Sequence, residues 1–230
     1  MKLRIEKIIR DEAWLHSGEV AVPFEMTVSD GVASVLYYKS AEVAVNEYLR
    51  LFGTDESALF SEKAISWAVK TFGGFLAKYG FSLSPDSEDY YMGYALEVPD
   101  EAECGPAVRL TGNEDLRDLT ETDISGLTEE GYIICAVTEG NDIVAAANTG
   151  EPVCDGTPVT VEIGVDTASE YRRKGYGKAC VAALVRELDR LGHRAVYECA
   201  SGNTASVGLA LSLGAREKYK KLYFVGFRDE

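Results

Sequence analysis

Hydrophobic spacing in the first hundred residues predicts short strands followed by two helices. Two apolar stretches flank Ser29-Asp30-Gly31, a turn signal, so strands joined by a turn are expected there. Ser40 has the residue type of a helix N-cap, and Gly53 follows the last apolar pair of the predicted helix. A second helix is expected from residues 55–57 onward, and Gly73-Gly74 is expected to weaken or end it.

The pattern changes after residues 98–106, a stretch rich in Pro, Asp and Glu that we predict to be a linker. Short apolar runs predict strands at 107–110, 132–137, 143–147, 159–167, 195–199 and 222–227. Amphipathic spacing predicts helices at 177–191 and 203–213, and the leucines of 111–127 are spaced for a helix or helical turns. Because strands come first and then alternate with helices, an α+β or α/β domain around a mixed sheet is expected at 106–230, preceded by an accessory α+β region at 1–105.

Composition excludes several classes of protein. The chain has 230 residues, of which 46% are hydrophobic and 27% charged, which is typical of a globular protein rather than a disordered one. It has no apolar run of about 18 residues that could span a membrane, and charges interrupt the N-terminus where a signal peptide is apolar. Five cysteines without a Cys-x-x-Cys motif and two histidines make a disulfide framework or a metal centre unexpected. We therefore expect a cytoplasmic protein without a metal.

Charge is distributed unevenly around a net value of −15. Residues 1–105 contain nine Lys/Arg and 18 Asp/Glu, residues 106–168 contain two and 13, and residues 169–230 contain 12 and seven. One interpretation is a solubilising surface. The other is an acidic body, favouring cationic ligands, whose basic last quarter holds a small phosphorylated cofactor. A nucleic-acid strand fits poorly, because the long-range field would repel it.

The segment from Thr167 to Lys178 has the features of a phosphate-binding turn between a strand and a helix. Gly175 and Gly177 allow a tight turn and close approach of a ligand to the backbone. The N–H groups at the start of the following helix favour an anion. Basic side chains surround this turn: Arg172, Arg173, Lys174 and Lys178. The third glycine of a dinucleotide-binding fingerprint is replaced by Cys180, and the Gly-Lys-Ser/Thr of a Walker loop is absent.

The spacing Arg172-x-x-Gly175-x-Gly177 resembles the acetyl-CoA-binding motif of the GNAT superfamily of N-acetyltransferases. A second match follows at the family's usual distance, where Asn203-x-x-Ser206 opens a helix that closes at Leu213-Gly214. Residues 162–167, 171–175 and 205–210 resemble, within that superfamily, the branch named for zwittermicin A resistance. The resemblance covers about 107–230 and implies the GNAT acyl-CoA N-acyltransferase fold; residues 1–105 match nothing specific.

The resemblance also implies which residues contact acetyl-CoA. The strand ending at Thr167 would separate from its neighbour and pair its backbone, including that of Val165, with the pantetheine arm, and one of its N–H groups would face the thioester oxygen. In the family the amide corresponding to Asn203 bonds the pantetheine, and Ser206 belongs to the same motif. Backbone N–H groups are implied to hold the pyrophosphate, namely those of Arg173, Lys174, Gly175, Tyr176, Gly177 and Lys178, and Arg172 belongs to the same motif. Charge alone suggests Lys218, Lys220 or Lys221 for the 3′-phosphate.

Candidate catalytic groups are two carboxylates on the same strand, Glu162 and Asp166. Four residues apart, they are expected on one face of the strand, where a carboxylate could take the proton of the attacking amine. The alternative is a structural role, such as capping a loop or pairing with an arginine. Many family members carry on the last helix a tyrosine that protonates the leaving thiolate, but this chain has Ala210 there. Tyr219 or Tyr223 could substitute, although core packing is the simpler interpretation.

The predicted function is transfer of the acetyl group of acetyl-CoA to an amine of a small molecule. The alternatives are a non-catalytic acyl-CoA-binding sensor, which the Ala210 departure motivates, and a protein N-acetyltransferase. Net acidity in 106–168 favours a cationic acceptor, and carboxylates are concentrated there on one short stretch: Glu114, Asp115, Asp118, Glu121 and Asp123. The same carboxylates could instead only solvate an exposed helix. No nucleic acid or membrane partner is expected, and a homodimer is left open.

Overall fold

A computed structural model of the chain describes residues 3–85, 90–96, 104–112, 114–120, 124, 126–153 and 158–229. Its twelve described strands are β1 Arg4–Arg10, β2 Val20–Ser29, β3 Val32–Tyr38, β4 Phe81–Leu83, β5 Tyr91–Leu96, β6 Val108–Arg109, β7 Arg117–Asp118, β8 Ile134–Glu139, β9 Asp142–Thr149, β10 Thr160–Thr167, β11 Arg194–Ala200 and β12 Arg216–Arg228. Its six described α-helices are α1 Ala13–Ser17, α2 Glu42–Phe52, α3 Glu56–Leu59, α4 Glu62–Ala77, α5 Tyr176–Arg190 and α6 Thr204–Ser212. The strands pair in both parallel and antiparallel fashion, so the predicted α+β class with a mixed sheet is confirmed.

The chain packs as two units. The N-terminal unit comprises 1–93, 200–202 and 218–230, and the C-terminal unit comprises 94–199 and 203–217. These units differ from the predicted division at 105/106, because most of β12 belongs to the N-terminal unit. That division stays a prediction about the family domain. Most of the predicted linker, residues 98–103, lies outside the described residues.

An aromatic core holds the N-terminal unit together. The β2–β3 hairpin turns at Asp30-Gly31, whose φ angles of 49° and 77° are those of a tight left-handed turn, as predicted. Strand β12 pairs antiparallel with β2 and places Phe224 against Phe72, with ring centroids 5.2 Å apart. Phe72 in turn stacks on Phe24 at 4.7 Å. The last strand of the chain is therefore part of the core built by the first hundred residues.

Two helix predictions for this unit need correction. Ser40 is not an N-cap but lies in a 3-10 turn, and α2 begins only at Glu42. Gly53 is the C-cap of α2, as predicted. The expected second helix is two helices, capped by the side chains of Asp55 and Ser61. Gly73-Gly74 does not end α4.

Helix α4 continues to Ala77 because its next turn is buried. Phe72 and Leu76 are 0% exposed and Phe75 is 8% exposed. Burying three such side chains contributes roughly 1.5–3 kcal/mol each. A helical glycine costs only about 1 kcal/mol, so tertiary packing outweighs the local preference.

In the C-terminal unit, β8, β9 and β10 form an antiparallel sheet, and β11 pairs parallel with β10. Helix α5 packs on β8, β9 and β10 through a buried face that includes Leu184, Val185 and Leu188. The described residues of 111–127 form the short strand β7 and loops or turns, so a helix there is not observed. Glu114 and Asp118 accept backbone N–H groups of these loops, which competes with helix formation.

No helix in the described part of the chain is both long and apolar enough to cross a bilayer.

Candidate active site

Strands β10 and β11 are paired over only three residues of each strand and then part. The parallel register runs from Thr160↔Arg194 to Glu162↔Val196. Beyond Glu162, the strand β10 pairs antiparallel with β9 from Ile163 to Thr167, and its pairing with β11 has ended. The side of β10 that faces β11 is therefore open from Ile163 onward, as the predicted separation of this strand from its neighbour requires.

The open strand leads into a tight turn at the start of α5. Gly175 is the N-cap of α5 with φ 85°, and no side chain caps the helix. The first N–H groups of a helix lack intrahelical partners, so they remain for an anion. Arg173, with φ 65°, also has a left-handed backbone, which curls the turn. This left-handed turn has the conformation that the predicted cradle requires, and the binding of an anion there stays a prediction.

Gly177 serves a different purpose from Gly175. A Cβ atom added at Gly177 would lie 3.1 Å from Thr167 Oγ1 and 3.5 Å from Val165 Cγ2. The absence of a side chain lets the first turn of α5 lie directly on the open strand β10. At Gly175 nothing lies within 4 Å of such an atom, so there the requirement is the positive φ.

A groove of about 650 Å³ connects these features within the C-terminal unit. Eleven of the thirteen residues proposed from sequence line this groove, and Lys174 and Glu162 do not. The eleven are Val165, Asp166, Thr167, Arg172, Arg173, Gly175, Tyr176, Gly177, Lys178, Asn203 and Ser206. The eleven lining candidates therefore lie on one surface. Lys174 is beside the groove, with its Nζ 4.4 Å from the centroid of the Tyr171 ring.

The arginine of the motif braces the end of β10. Arg172 Nε donates a hydrogen bond to the Thr167 carbonyl oxygen at 2.8 Å. Its Nη2 lies 3.8 Å from Asp166 Oδ1, and the same carboxylate oxygen accepts the Thr167 N–H at 2.6 Å. These contacts support the structural interpretation of Asp166. Glu162 is exposed at the last paired position of β10, so the two carboxylates do not share the groove.

Two further contacts hold the start of α5 in place. The Tyr176 hydroxyl donates to Glu139 Oε1 at 2.7 Å, which ties the cradle to the β8–β9 hairpin. Lys178 Nζ donates to the Ser212 carbonyl oxygen at 2.8 Å, at the end of α6. Lys178 therefore satisfies a helix C-terminus as well as lining the groove.

Helix α6 begins at Asn203, as predicted. Asn203 Oδ1 accepts the Ser206 N–H at 3.1 Å, which leaves the amide Nδ2 as a donor for a ligand. Ala210 is fully buried and does not line the groove. The last helix therefore offers no side chain there that could act on a substrate.

The alternative tyrosines and lysines named from sequence lie in the N-terminal unit. A Cβ atom at Gly93 would lie 2.1 Å from Tyr219 Cζ, so this ring covers the glycine, and Tyr223 stacks on Tyr91 at 5.1 Å. Both rings are half-buried, so these contacts indicate packing against neighbouring residues without the full burial of a core position. Lys220 Nζ is 2.8 Å from Glu56 Oε1. None of these side chains lines the groove.

Tyr197 is a groove residue that sequence reasoning missed. It lies on β11 and is 5% exposed. Burial raises the pKa of the Tyr197 phenol, and a hydrogen bond with the Ser206 side chain partly offsets this increase. Tyr197 and Cys199 lie two residues apart on the same face of β11, which indicated a core position for both. No local feature of the sequence showed that Tyr197 also lines the groove.

The buried cysteines Cys135 and Cys180 are not candidate nucleophiles. Burial raises the pKa of both Cys135 and Cys180 to about 12, so their thiols are neutral at physiological pH. Among the described residues there is no group of three His, Cys, Asp or Glu that could hold a metal ion.

Comparison with known families gives a match over residues 98–215 to the model of the acetyltransferase (GNAT) family. The chain belongs to this family. The GNAT fold is thereby shown, and the family's general reaction is transfer of the acetyl group of acetyl-CoA. The match does not support the narrower resemblance to the zwittermicin A resistance branch.

Several solved structures are similar to the GNAT chain described above. A GNAT-family protein from Novosphingobium aromaticivorans is 17% identical, with 62% of this chain and 66% of that chain covered and a TM-score of 0.48. A GCN5-related N-acetyltransferase-like protein from Streptococcus suis is 17% identical, with 86% and 72% covered and a TM-score of 0.45. The yncA protein of Salmonella typhimurium, solved with acetyl-CoA, is 25% identical, with 44% and 68% covered and a TM-score of 0.34. With TM-scores below 0.5, these three add nothing to the family assignment. No curated protein matches the chain.

Proposed function

We propose that this GNAT protein is an N-acetyltransferase that transfers the acetyl group of acetyl-CoA to an amine of a small molecule. The observation that carries the proposal is the continuity of two features in one groove. The anion-binding start of α5 is joined to the strand β10, whose edge is open beyond Glu162. A molecule with a diphosphate at one end and an amide-containing arm at the other fits this order.

The residues present fit acetyl-CoA in chemical type. The backbone N–H groups of 173–178 and the basic side chains around them suit the diphosphate. The open backbone of 163–167 suits the amides of the pantetheine arm, in the manner of strand addition. Asn203 Nδ2 suits a carbonyl oxygen of the same arm. Acetyl-CoA supplies the activated acyl group, and the chain binds and orients it.

Attack on the thioester requires a neutral amine, whose ordinary pKa is about 10. Glu162 and Asp166 stay the predicted proton acceptors. Asp166 is the only one of the two that lines the groove, but it is already engaged by Thr167 and Arg172. This favours a supporting role for Asp166 and proton removal through water.

We further propose that the acceptor is cationic before it loses its proton. A second cavity of about 250 Å³ in the C-terminal unit is lined by Glu114, Asp118 and Glu129 among other residues. Glu114 and Asp118 also hold loops, which supports the structural alternative; Glu121 and Asp123 lie outside the described residues. If the acidic surface steers the acceptor, its KM rises with ionic strength while kcat barely changes. Kinetics that ignore salt would contradict this proposal.

Titration calorimetry with acetyl-CoA tests the cofactor. Gly177→Asp should abolish binding, because it places a carboxylate beside the diphosphate and crowds Thr167. Gly74→Asp, an open helical position in the N-terminal unit, is the matched control and should bind normally. Absence of heat with the unaltered protein at millimolar acetyl-CoA, together with an unchanged melting temperature, would end the proposal.

Release of CoA thiol across a panel of amines tests catalysis, and mass spectrometry identifies the acetylated product. Tight binding of acetyl-CoA without turnover of any amine or peptide would favour the alternative of an acyl-CoA-binding sensor. The specific observation behind that alternative is the buried Ala210, which replaces the usual tyrosine. Turnover of peptides but not of small amines would instead indicate a protein N-acetyltransferase.

A further inference from the structure

The reaction under the proposed function needs a proton at the sulfur of the leaving CoA. A thiolate is a poor leaving group compared with a thiol, so a positioned donor accelerates its departure. At the position where many family members have a tyrosine, Ala210 is 0% exposed and absent from the groove lining. A proton donor must therefore come from another element.

Tyr197 is placed next to the point where the strands separate. The last recorded β10–β11 pair is Glu162↔Val196, and Tyr197 is the next residue along β11. It lines the same groove as Val165 and Asp166 of the open strand. At 5% exposed, its side chain is largely shielded from water, which strengthens any hydrogen bond that it donates.

Helix α6 positions the Tyr197 phenol through Ser206. The Ser206 N–H is fixed by the Asn203 cap at 3.1 Å, and the Ser206 side chain is hydrogen-bonded to Tyr197. Burial raises the pKa of Tyr197, and the charge of a Cys199 thiolate would raise it further. The hydrogen bond with Ser206 acts in the opposite direction, because it favours the phenolate. Tyr197 is therefore protonated at neutral pH, and its phenolate has a hydrogen-bonded partner.

The other two tyrosines among the described groove residues are committed to the phosphate end. Tyr176 donates its hydroxyl hydrogen to Glu139 at 2.7 Å. Tyr171 lies in the turn before Gly175 and carries Lys174 Nζ 4.4 Å from its ring centroid. Both precede or begin α5, whereas Tyr197 lies on the separated strand β11.

We propose that Tyr197, positioned by Ser206, donates a proton to the CoA sulfur as the thioester breaks. The amine nitrogen forms a bond to the acetyl carbon, the C–S bond breaks, and its electron pair takes the phenolic proton of Tyr197. The nitrogen loses one proton to water. Water then returns one proton to the phenolate through Ser206, so the protein ends the cycle unchanged.

Tyr197→Phe is the decisive variant, since it removes one oxygen and keeps the ring. With the best amine of the panel, we expect kcat to fall by about 10- to 100-fold, the usual worth of a hydrogen bond to a charged group. The KM for acetyl-CoA and the calorimetric affinity should stay within about twofold. Tyr79→Phe makes the same chemical change in the N-terminal unit, where the ring packs on Phe75, and should leave kcat unchanged.

A second measurement does not depend on the acceptor. The ultraviolet absorbance of the thiolate gives the pKa of the thiol of bound CoA. A hydrogen bond from Tyr197 stabilises the thiolate, so this pKa should be about one unit higher in Tyr197→Phe than in the unaltered protein. Ser206→Ala should give a smaller change in the same direction, because it removes only the positioning contact.

The outcomes separate this inference from the proposed function. If no amine turns over but the thiol pKa differs as expected, the proposed function fails while the contact of Tyr197 with sulfur stands. If amines turn over and Tyr197→Phe changes neither kcat nor the thiol pKa, the inference is overturned and the proposed function stands. Failure of the unaltered protein to bind CoA would overturn both.

Discussion

Replacing Gly175 with alanine would test whether the left-handed start of α5 is needed to bind acetyl-CoA. Gly175 has φ 85°, and no atom lies within 4 Å of an added Cβ. The substitution therefore introduces backbone strain without a steric clash. An L-residue in this conformation costs about 1–2 kcal/mol. If the turn relaxes to relieve that strain, the N–H groups no longer converge on the diphosphate.

Gly74→Ala is the matched control, for which we expect an increase in stability instead of a decrease. Gly74 lies inside α4 with nothing within 4 Å of an added Cβ, and its φ is not left-handed. Alanine should stabilise this helix by about 1 kcal/mol. For a chain of this size, about 2–4 °C per kcal/mol predicts a melting temperature roughly 2–8 °C lower for Gly175→Ala and roughly 2–4 °C higher for Gly74→Ala.

Calorimetric titration measures the effect of the same two substitutions on the affinity for acetyl-CoA. If the free protein relieves the strain by letting the turn relax, binding of acetyl-CoA must restore the turn. The affinity of Gly175→Ala then falls by up to about 5- to 30-fold, and the melting temperature falls correspondingly less. Gly74→Ala should bind with unchanged affinity. If Gly175→Ala melts and binds like the unaltered protein, then the left-handed turn does not hold the diphosphate and the assignment of the cradle is wrong.

Three further predictions follow from single contacts of the structure. Asn203→Ala should cost about 1 kcal/mol through loss of a helix cap and also weaken acetyl-CoA binding, whereas Asp55→Ala, which removes the cap of α3, should affect only the melting temperature. Arg172→Ala should weaken acetyl-CoA binding several-fold with little loss of stability, because its side chain is 51% exposed, and calorimetry of Arg172→Lys should show partial recovery. Stability should fall above pH 9, because the unfolded thiols of Cys135 and Cys180 ionise there while the folded ones keep their protons up to a pKa of about 12. In urea titrations, the stability advantage over Cys135→Ala should shrink by about 1.4 kcal/mol per pH unit; an advantage that stays constant to pH 11 would contradict the burial of this thiol.

The conformation of the turn before α5 could be predicted because its determinants are local. Gly175 occupies a left-handed N-cap and Gly177 a close approach to β10, and both needs are visible in a strand–turn–helix segment of a dozen residues. Asn203 is likewise a cap whose partner lies three residues away. The hairpin at Asp30-Gly31 belongs to the same class, since the residues themselves supply the left-handed turn.

The failed predictions share one cause, namely contacts that the hydrophobic periodicity does not encode. Gly73-Gly74 is a helix breaker by propensity, yet α4 continues because Phe72 and Leu76 are buried in a core completed by Phe224, about 150 positions further along the chain. Side-chain bonds to the backbone, such as those of Glu114, fold residues near 111–120 into loops although the leucine spacing suited a helix. In each case, contacts outside the periodic pattern decided the conformation.

The sequence by itself therefore determined the family, the mixed α+β class and the left-handed turn at the start of α5, because residue type and short spacing are sufficient to specify a left-handed glycine, a cap or an amphipathic face. Only the tertiary structure decided that Glu162 stays outside the groove, that Asp166 is braced by Arg172, and that Tyr197 meets Ser206 beside the open edge of β10. Those relations depend on where β10 and β11 cease to pair. That point is set by the packing of whole elements, and no local pattern of residues records it.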